Sequence, residues 1–140
     1  GSVRTPADVG PAFVQALNFI EKNTGPSDFI FAAPEGSSLN FLANRPAALR
    51  YEVLTPGFLD EAKEEQAIQQ LKERKVKFIF ILNRPTREFG PVVFGQDYCV
   101  RLMSWIEDHY ELIQIFGNHG NINSQIGDKN FFIKCYKIRL

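Results

Sequence analysis

Several features that mark specialised classes of protein are absent from this 140-residue sequence. Two cysteines and two histidines are present, and their spacing does not match a zinc site. The 16 basic and 16 acidic residues cancel, which argues against a nucleic-acid-binding protein. No apolar run approaches the roughly 20 residues of a membrane span, and we recognise no signal peptide. These absences favour an ordinary globular domain.

The motifs of common nucleotide-binding and hydrolytic sites are absent too. The turn after the first predicted strand reads APEGSS instead of GxGxxG, and there is no GxxxxGK[ST]. A GxSxG nucleophile elbow is also lacking. Ser37 and Ser38 begin a predicted helix, where helix capping and anion binding are both open to them, and capping is the simpler interpretation. We therefore predict no catalytic residue, metal or cofactor in this chain.

The composition is that of a soluble globular domain, with 44% apolar and 23% charged residues. The length suits a single domain over residues 1–140, with Gly1 and Ser2 interpreted as a cloning remnant. We interpret the 13 phenylalanines as core packing. Cys99 and Cys135 are predicted to be small buried side chains, although their spacing leaves a disulfide open.

The run KVKFIFIL at residues 75–82 organises the predicted fold. It is too short for an ordinary helix and lacks polar alternation after Lys77, which is typical of an interior strand covered on both faces. A charged helix at 60–74 leads into it, with Asp60 at its start, and the polar residues after Leu82 fall at its carboxyl end. In open α/β sheets that end is the usual place for ligands.

The remaining elements follow from periodicity and turn signals. Helices are predicted at about 9–20, 37–42 and 98–110, the last capped by Asp97, and strands at 28–33, 50–54, 111–116 and 131–140. The connection at 117–130 has no helical pattern, so the last two strands should be antiparallel. The order predicts a three-layer, Rossmann-like α/β domain whose five-stranded sheet is mostly parallel, with an antiparallel last strand and 75–82 in the centre.

Six polar residues follow predicted strands or lie in the adjoining turns, and arginine suits bidentate binding of phosphate or carboxylate. If the loops after the first and third strands leave the same edge of the sheet, these residues could form an anion-binding crevice. The alternative is an Arg45–Glu35 pair among solvated loop charges. The candidate ligand-binding residues are Glu35, Asn44, Arg45, Asn83, Arg84 and Arg87.

The linear order of these segments also resembles a known family. The segments are DFIFAAPEGSSLNFLANRPAALRYEVLTPG, then a charged helix into KVKFIFIL, then FGQDYCVRLMSWIEDHYELIQIFG. Together they resemble the C-terminal extracytoplasmic domain of bacterial polytopic membrane glycosyltransferases. Those enzymes are similar to protein mannosyltransferases and aminoarabinose transferases, which use polyprenyl-phosphate sugars. The resemblance spans roughly Val9–Ile138, and its most specific parts are NRPAALRY and DYxxxxxxWIEDHYELIQIFG.

The resemblance implies an accessory domain that is inactive alone, because the family's catalytic carboxylate lies in the membrane-embedded half. It implies the periplasmic or exterior face of the bacterial inner membrane as location. The implied partners are the membrane half of the same polypeptide and a polyprenyl-phosphate sugar or its acceptor, with no nucleic acid. The alternative is an independent α/β module that binds a small anionic ligand or a protein partner.

Overall fold

A computed structural model describes the chain over residues 6–34, 37–49, 60–82, 93–117 and 132–140. Within these residues the chain forms four helices and four strands that alternate along most of its length. In chain order they are α1 (Pro6–Asn23), β1 (Phe31–Ala33), α2 (Ser37–Ala43), α3 (Glu61–Glu73), β2 (Phe78–Leu82), α4 (Val100–His109), β3 (Tyr110–Gly117) and β4 (Phe132–Ile138).

The four strands form one mixed sheet in the order β1-β2-β4-β3. β1 and β2 pair in parallel, with Phe31 opposite Ile79 and Ala33 opposite Ile81. β4 is antiparallel to both of its neighbours, β2 and β3. The prediction that the last two strands are antiparallel is therefore confirmed.

The prediction of a mostly parallel, five-stranded Rossmann-like sheet is wrong. β2 and β3 point the same way, as expected, but β4 lies between them and leaves β1–β2 as the parallel pair of the described sheet. The cause is the pairing of strands that are far apart in sequence. β4 bonds to both β2 and β3, so it separates two strands that would otherwise pair in parallel. The strand predicted at 50–54 lies outside the described residues.

Both faces of the sheet are covered, as a three-layer domain requires. Phe78, Phe80 and Leu82 of β2 enter a cluster with α1 and α2, whereas Ile79 and Ile81 enter the cluster with α3 and α4. All five residues of β2 are buried, which confirms it as the interior strand. Burial of such a side chain contributes about 1.5–3 kcal/mol, so β2 stabilises both layers at once.

The phenylalanines serve mainly as core, as predicted. The ring of Phe19 on α1 lies 5.1 Å from that of Phe78, 6.4 Å from Phe80 and 5.5 Å from Phe116, measured between centroids. These edge-on and tilted contacts fasten α1 across strands β2 and β3. Phe41 on α2 differs, because 78% of its surface is exposed.

Helix starts follow their sequence signals in one case and depart from them in another. The side chain of Asp60 accepts a hydrogen bond from the backbone N–H of Lys63 at 2.8 Å, as expected of an N-cap. The predicted Asp97 cap of α4 is wrong. Asp97 instead accepts from the N–H of Val93 at 2.7 Å and closes a turn, and Cys99 takes the N-cap position in a left-handed conformation (φ 52°) without a side-chain bond.

Candidate functional site

The carboxyl ends of β1 and β2 meet at one end of the sheet, which we call the carboxyl edge. The strands are parallel neighbours with Ala33 opposite Ile81, so both strands end at this same edge. That arrangement is the one on which the predicted anion site depends. Four of its six residues lie outside the described residues, namely Glu35, Asn83, Arg84 and Arg87.

The other two predicted site residues lie at the opposite end of the sheet, the amino edge. The Arg45 guanidinium donates to Thr24 Oγ1 at 2.9 Å and to Thr24 O at 3.2 Å, and Thr24 belongs to the turn that precedes β1. It also donates to the carbonyls of Ala43, at 3.0 Å, and Asn44, at 3.3 Å. Arg45 therefore ties the end of α2 to the end of α1, and its donors are largely occupied by backbone and hydroxyl oxygens.

Neighbouring residues support this tie and explain the local sequence. Asn44 adopts a left-handed conformation (φ 53°) after α2, which asparagine tolerates better than most residues. The buried amide of Asn40 donates to the carbonyls of Ile30, at 3.4 Å, and Arg45, at 3.3 Å. Ile30 in turn bridges Ala47 in parallel. The residues around the NRP sequence thus have a structural role, since they hold the chain after α2 against the start of β1 at the amino edge.

A second concave surface, which sequence reasoning missed, lies between α3 and α4. Both helices begin at the same end, because the starts of α3 and α4 are in contact through Glu64 with Leu102 and Glu65 with Arg101. A groove of about 750 Å³ runs between them and we call it the α3–α4 groove. Its lining residues are Glu61, Glu64, Glu65, Ile68, Lys72, Val100, Arg101, Ser104, Trp105 and Asp108.

Glu64 has a defined task within the wall of this groove. Its side chain is 8% exposed, and its Oε1 accepts a hydrogen bond from the backbone N–H of Leu102 at 3.1 Å. Leu102 lies in the first turn of α4, whose Cys99 N-cap makes no side-chain bond. Glu64 thus caps α4 from the neighbouring helix. The signal available in the sequence is an acidic residue in line with Ala67, Ile68 and Leu71 on the buried stripe of α3.

Burial explains the shifted titrations in the core. It raises the pKa of both thiols to about 12, and for Cys99 the negative charge of Glu64 adds to the effect. Burial also raises the pKa of Tyr110 to about 12, and its hydroxyl donates to the carbonyl of Val76. Such protonated, buried thiols are poor nucleophiles. Cys99 and Cys135 are free and belong to clusters on opposite faces of the sheet, so they form no disulfide.

The described ranges lack both a metal-binding cluster and a membrane-spanning helix. No group of three or more histidine, cysteine, aspartate or glutamate side chains there could hold a metal ion. No helix there is long and apolar enough to cross a membrane.

His109 stacks on Trp105 at 5.0 Å between ring centroids, and its Nδ1 lies 2.9 Å from the Trp105 carbonyl oxygen. This histidine therefore packs at the end of α4.

Comparison with known proteins gives a distant structural likeness. No protein-family model matches the chain, and no curated protein sequence matches it. A similar solved structure is the C-terminal globular domain of an oligosaccharyltransferase from Archaeoglobus fulgidus. It is 11% identical, the match covers 90% of this chain and 96% of that one, and the TM-score is 0.40. At that distance the likeness carries no argument about function.

Proposed function

We propose that this chain is an accessory domain of a membrane glycosyltransferase and that it has no transferase activity alone. The class of the parent enzyme rests on the sequence resemblance, which spans roughly Val9–Ile138. The parent would be a bacterial enzyme similar to the mannosyltransferases and aminoarabinose transferases, and the domain would lie on the extracytoplasmic face. The geometry of the sheet supports a proposal for the surface through which the domain acts.

We propose that the carboxyl edge is the functional surface of the domain. The observation that supports it is the parallel β1–β2 pair, whose strands end side by side at this edge. Arg84 and Arg87 follow in the second segment, and guanidinium groups suit phosphate oxygens. We propose that these arginines, with Glu35 and Asn83, face the membrane half and help to position a polyprenyl-phosphate donor or its acceptor.

This proposal leaves out Arg45 and Asn44, because both lie at the amino edge. The guanidinium of Arg45 is held by Thr24 at the amino edge, whereas the proposed residues follow Pro34 or Leu82 in the sequence, and β1 and β2 end at the carboxyl edge. The contribution of Arg45 and Asn44 is to hold α2 against α1 and thereby to fix the frame on which the carboxyl edge is built.

The first experiment reads the DNA that encodes the region upstream of Val3. Many hydrophobic spans encoded in frame with the domain would support the proposal. A start codon or a secretion signal directly upstream would instead support the independent α/β module that binds a small anion or a protein partner.

The second experiment removes charge from the proposed edge. In the full-length enzyme, Arg84→Ala with Arg87→Ala should reduce turnover of a polyprenyl-phosphate sugar. The matched control, Lys22→Ala with Arg139→Ala, removes two exposed cations elsewhere and should leave turnover unchanged. In the isolated domain the control pair should change the free energy of unfolding by only about 0–1 kcal/mol, as expected of exposed charges, and we predict an equally small change for the arginine pair. Normal turnover in the Arg84 and Arg87 variant would refute the proposed role.

A further inference from the structure

The α3–α4 groove combines exposed apolar surface with uncompensated negative charge. Val100, in the first turn of α4, is 52% exposed, and Trp105 is half-buried one turn further along the same wall. Ile68 of α3, although itself buried, also contributes to the lining. A partner that covers these side chains would remove apolar surface area from water, and this burial would favour its binding. The apolar content alone does not define what covers it.

The charges around the groove restrict the chemistry of an occupant. The lining holds four carboxylates against one lysine and one arginine, an excess of two negative charges. Arg101 already pairs with Glu65, and Glu64 is bonded to the N–H of Leu102. Glu61 and Asp108 make no ion pair with any described residue, and they lie near opposite ends of the groove. Phosphate-bearing ligands, anionic membranes and nucleic acids would be repelled by this surface.

From this complementarity we infer that the α3–α4 groove binds a basic segment of a protein partner, with an apolar side chain seated between Val100 and Trp105 and cationic side chains toward Glu61 and Asp108. The length of the groove suits a short segment, because its lining extends over three turns of α3, from Glu61 to Lys72. This surface is chemically opposite to the proposed carboxyl edge, and the inference does not depend on that function.

The test uses the intact 140-residue chain and two peptides of opposite charge. The acetylated peptide Lys-Leu-Phe-Lys-Leu-Lys should bind and change the fluorescence of Trp105, which is the sole tryptophan. The peptide Glu-Leu-Phe-Glu-Leu-Glu, with the same apolar residues, should not bind. Amide NMR shifts on adding the basic peptide should concentrate on α3 and α4. Affinity should also fall as salt is raised, because the Debye length shortens from about 10 Å at 0.1 M.

Charge variants locate the contact. Glu61→Gln with Asp108→Asn should weaken the basic peptide about five-fold or more at low salt, since one exposed ion pair is worth up to about a five-fold change. The matched control, Glu73→Gln with Glu107→Gln, removes two exposed carboxylates from the same helices outside the groove. It should weaken binding of the basic peptide less than two-fold, because these carboxylates form no ion pair with the bound peptide. Equal weakening by both pairs, equal binding of the acidic peptide, no binding, or shifts away from α3 and α4 would each overturn the inference.

Discussion

Removal of the Glu64 carboxylate tests whether α4 is capped from its neighbour, because two effects of opposite sign compete there. Loss of the acceptor leaves the N–H of Leu102 unpaired in a buried position, which costs about 1–3 kcal/mol. Against this, a carboxylate that is only 8% exposed is partly desolvated, and its removal recovers part of that cost. Substitution of Ser, Thr, Asn or Asp by Ala at an N-cap generally costs about 0.5–2 kcal/mol, so we expect the unpaired donor to dominate.

We therefore expect Glu64→Ala to lower the free energy of unfolding by about 0.5–2 kcal/mol, which is the usual cost of a lost N-cap. Glu64→Gln keeps an oxygen that can accept from Leu102 and loses only the favourable charge at the helix start, so it should cost about 0.3–1 kcal/mol. The matched control is Glu65→Ala on the same helix. It breaks an exposed ion pair with Arg101 and should cost about 0–1 kcal/mol.

The assay is urea unfolding of the purified chain, followed by Trp105 fluorescence and by far-ultraviolet circular dichroism. Coincidence of the two transitions checks that unfolding is two-state, so that midpoints convert to free energies. If Glu64→Ala is no more destabilising than Glu65→Ala, or if Glu64→Gln costs as much as Glu64→Ala, then the carboxylate does not act as a cap.

Two further predictions concern the amino edge and the buried titratable groups. Arg45→Ala should destabilise the chain by about 1–3 kcal/mol, since hydrogen bonds from a charged donor to Thr24 and the end of α2 are lost, whereas Arg139→Ala should cost about 0–1 kcal/mol in the same urea assay. Burial raises the pKa of both cysteines from 9.0 to about 12, so the folded state holds protons that the unfolded state releases, and stability should fall as pH rises from about 9 towards 12. A urea midpoint unchanged over that interval would contradict the assignment, as would equal effects of the two arginine variants.

Local patterns predict the elements of this fold well because each depends on neighbours in sequence. The apolar run around Phe78 forms an interior strand, and Asp60 caps α3. Burial on two faces and helix capping can both be recognised from residues that are close together in the sequence. The absence of a helical pattern before β4 likewise predicts its antiparallel direction. None of these sequence signals specifies which strands pair with each other. The position of β4 between β2 and β3 is decided by packing across the whole sheet, and the parallel-sheet prediction fails for that reason.

The two candidate-site residues that the structure describes, Asn44 and Arg45, lie at the amino edge, and the lengths of β1 and α2 explain why. α2 has seven residues, which span about 10 Å at 1.5 Å each, and the three residues of β1 span about 10 Å in the opposite sense. A chain that leaves β1 at the carboxyl edge therefore returns to the amino edge by the end of α2, where Arg45 meets Thr24. Residues that directly follow a strand can share the carboxyl edge, and residues that follow the next helix cannot. The lengths of β1 and α2 therefore explain why Arg45 lies away from the carboxyl edge, and charge removal at Arg84 and Arg87 tests the residues that we propose for that edge.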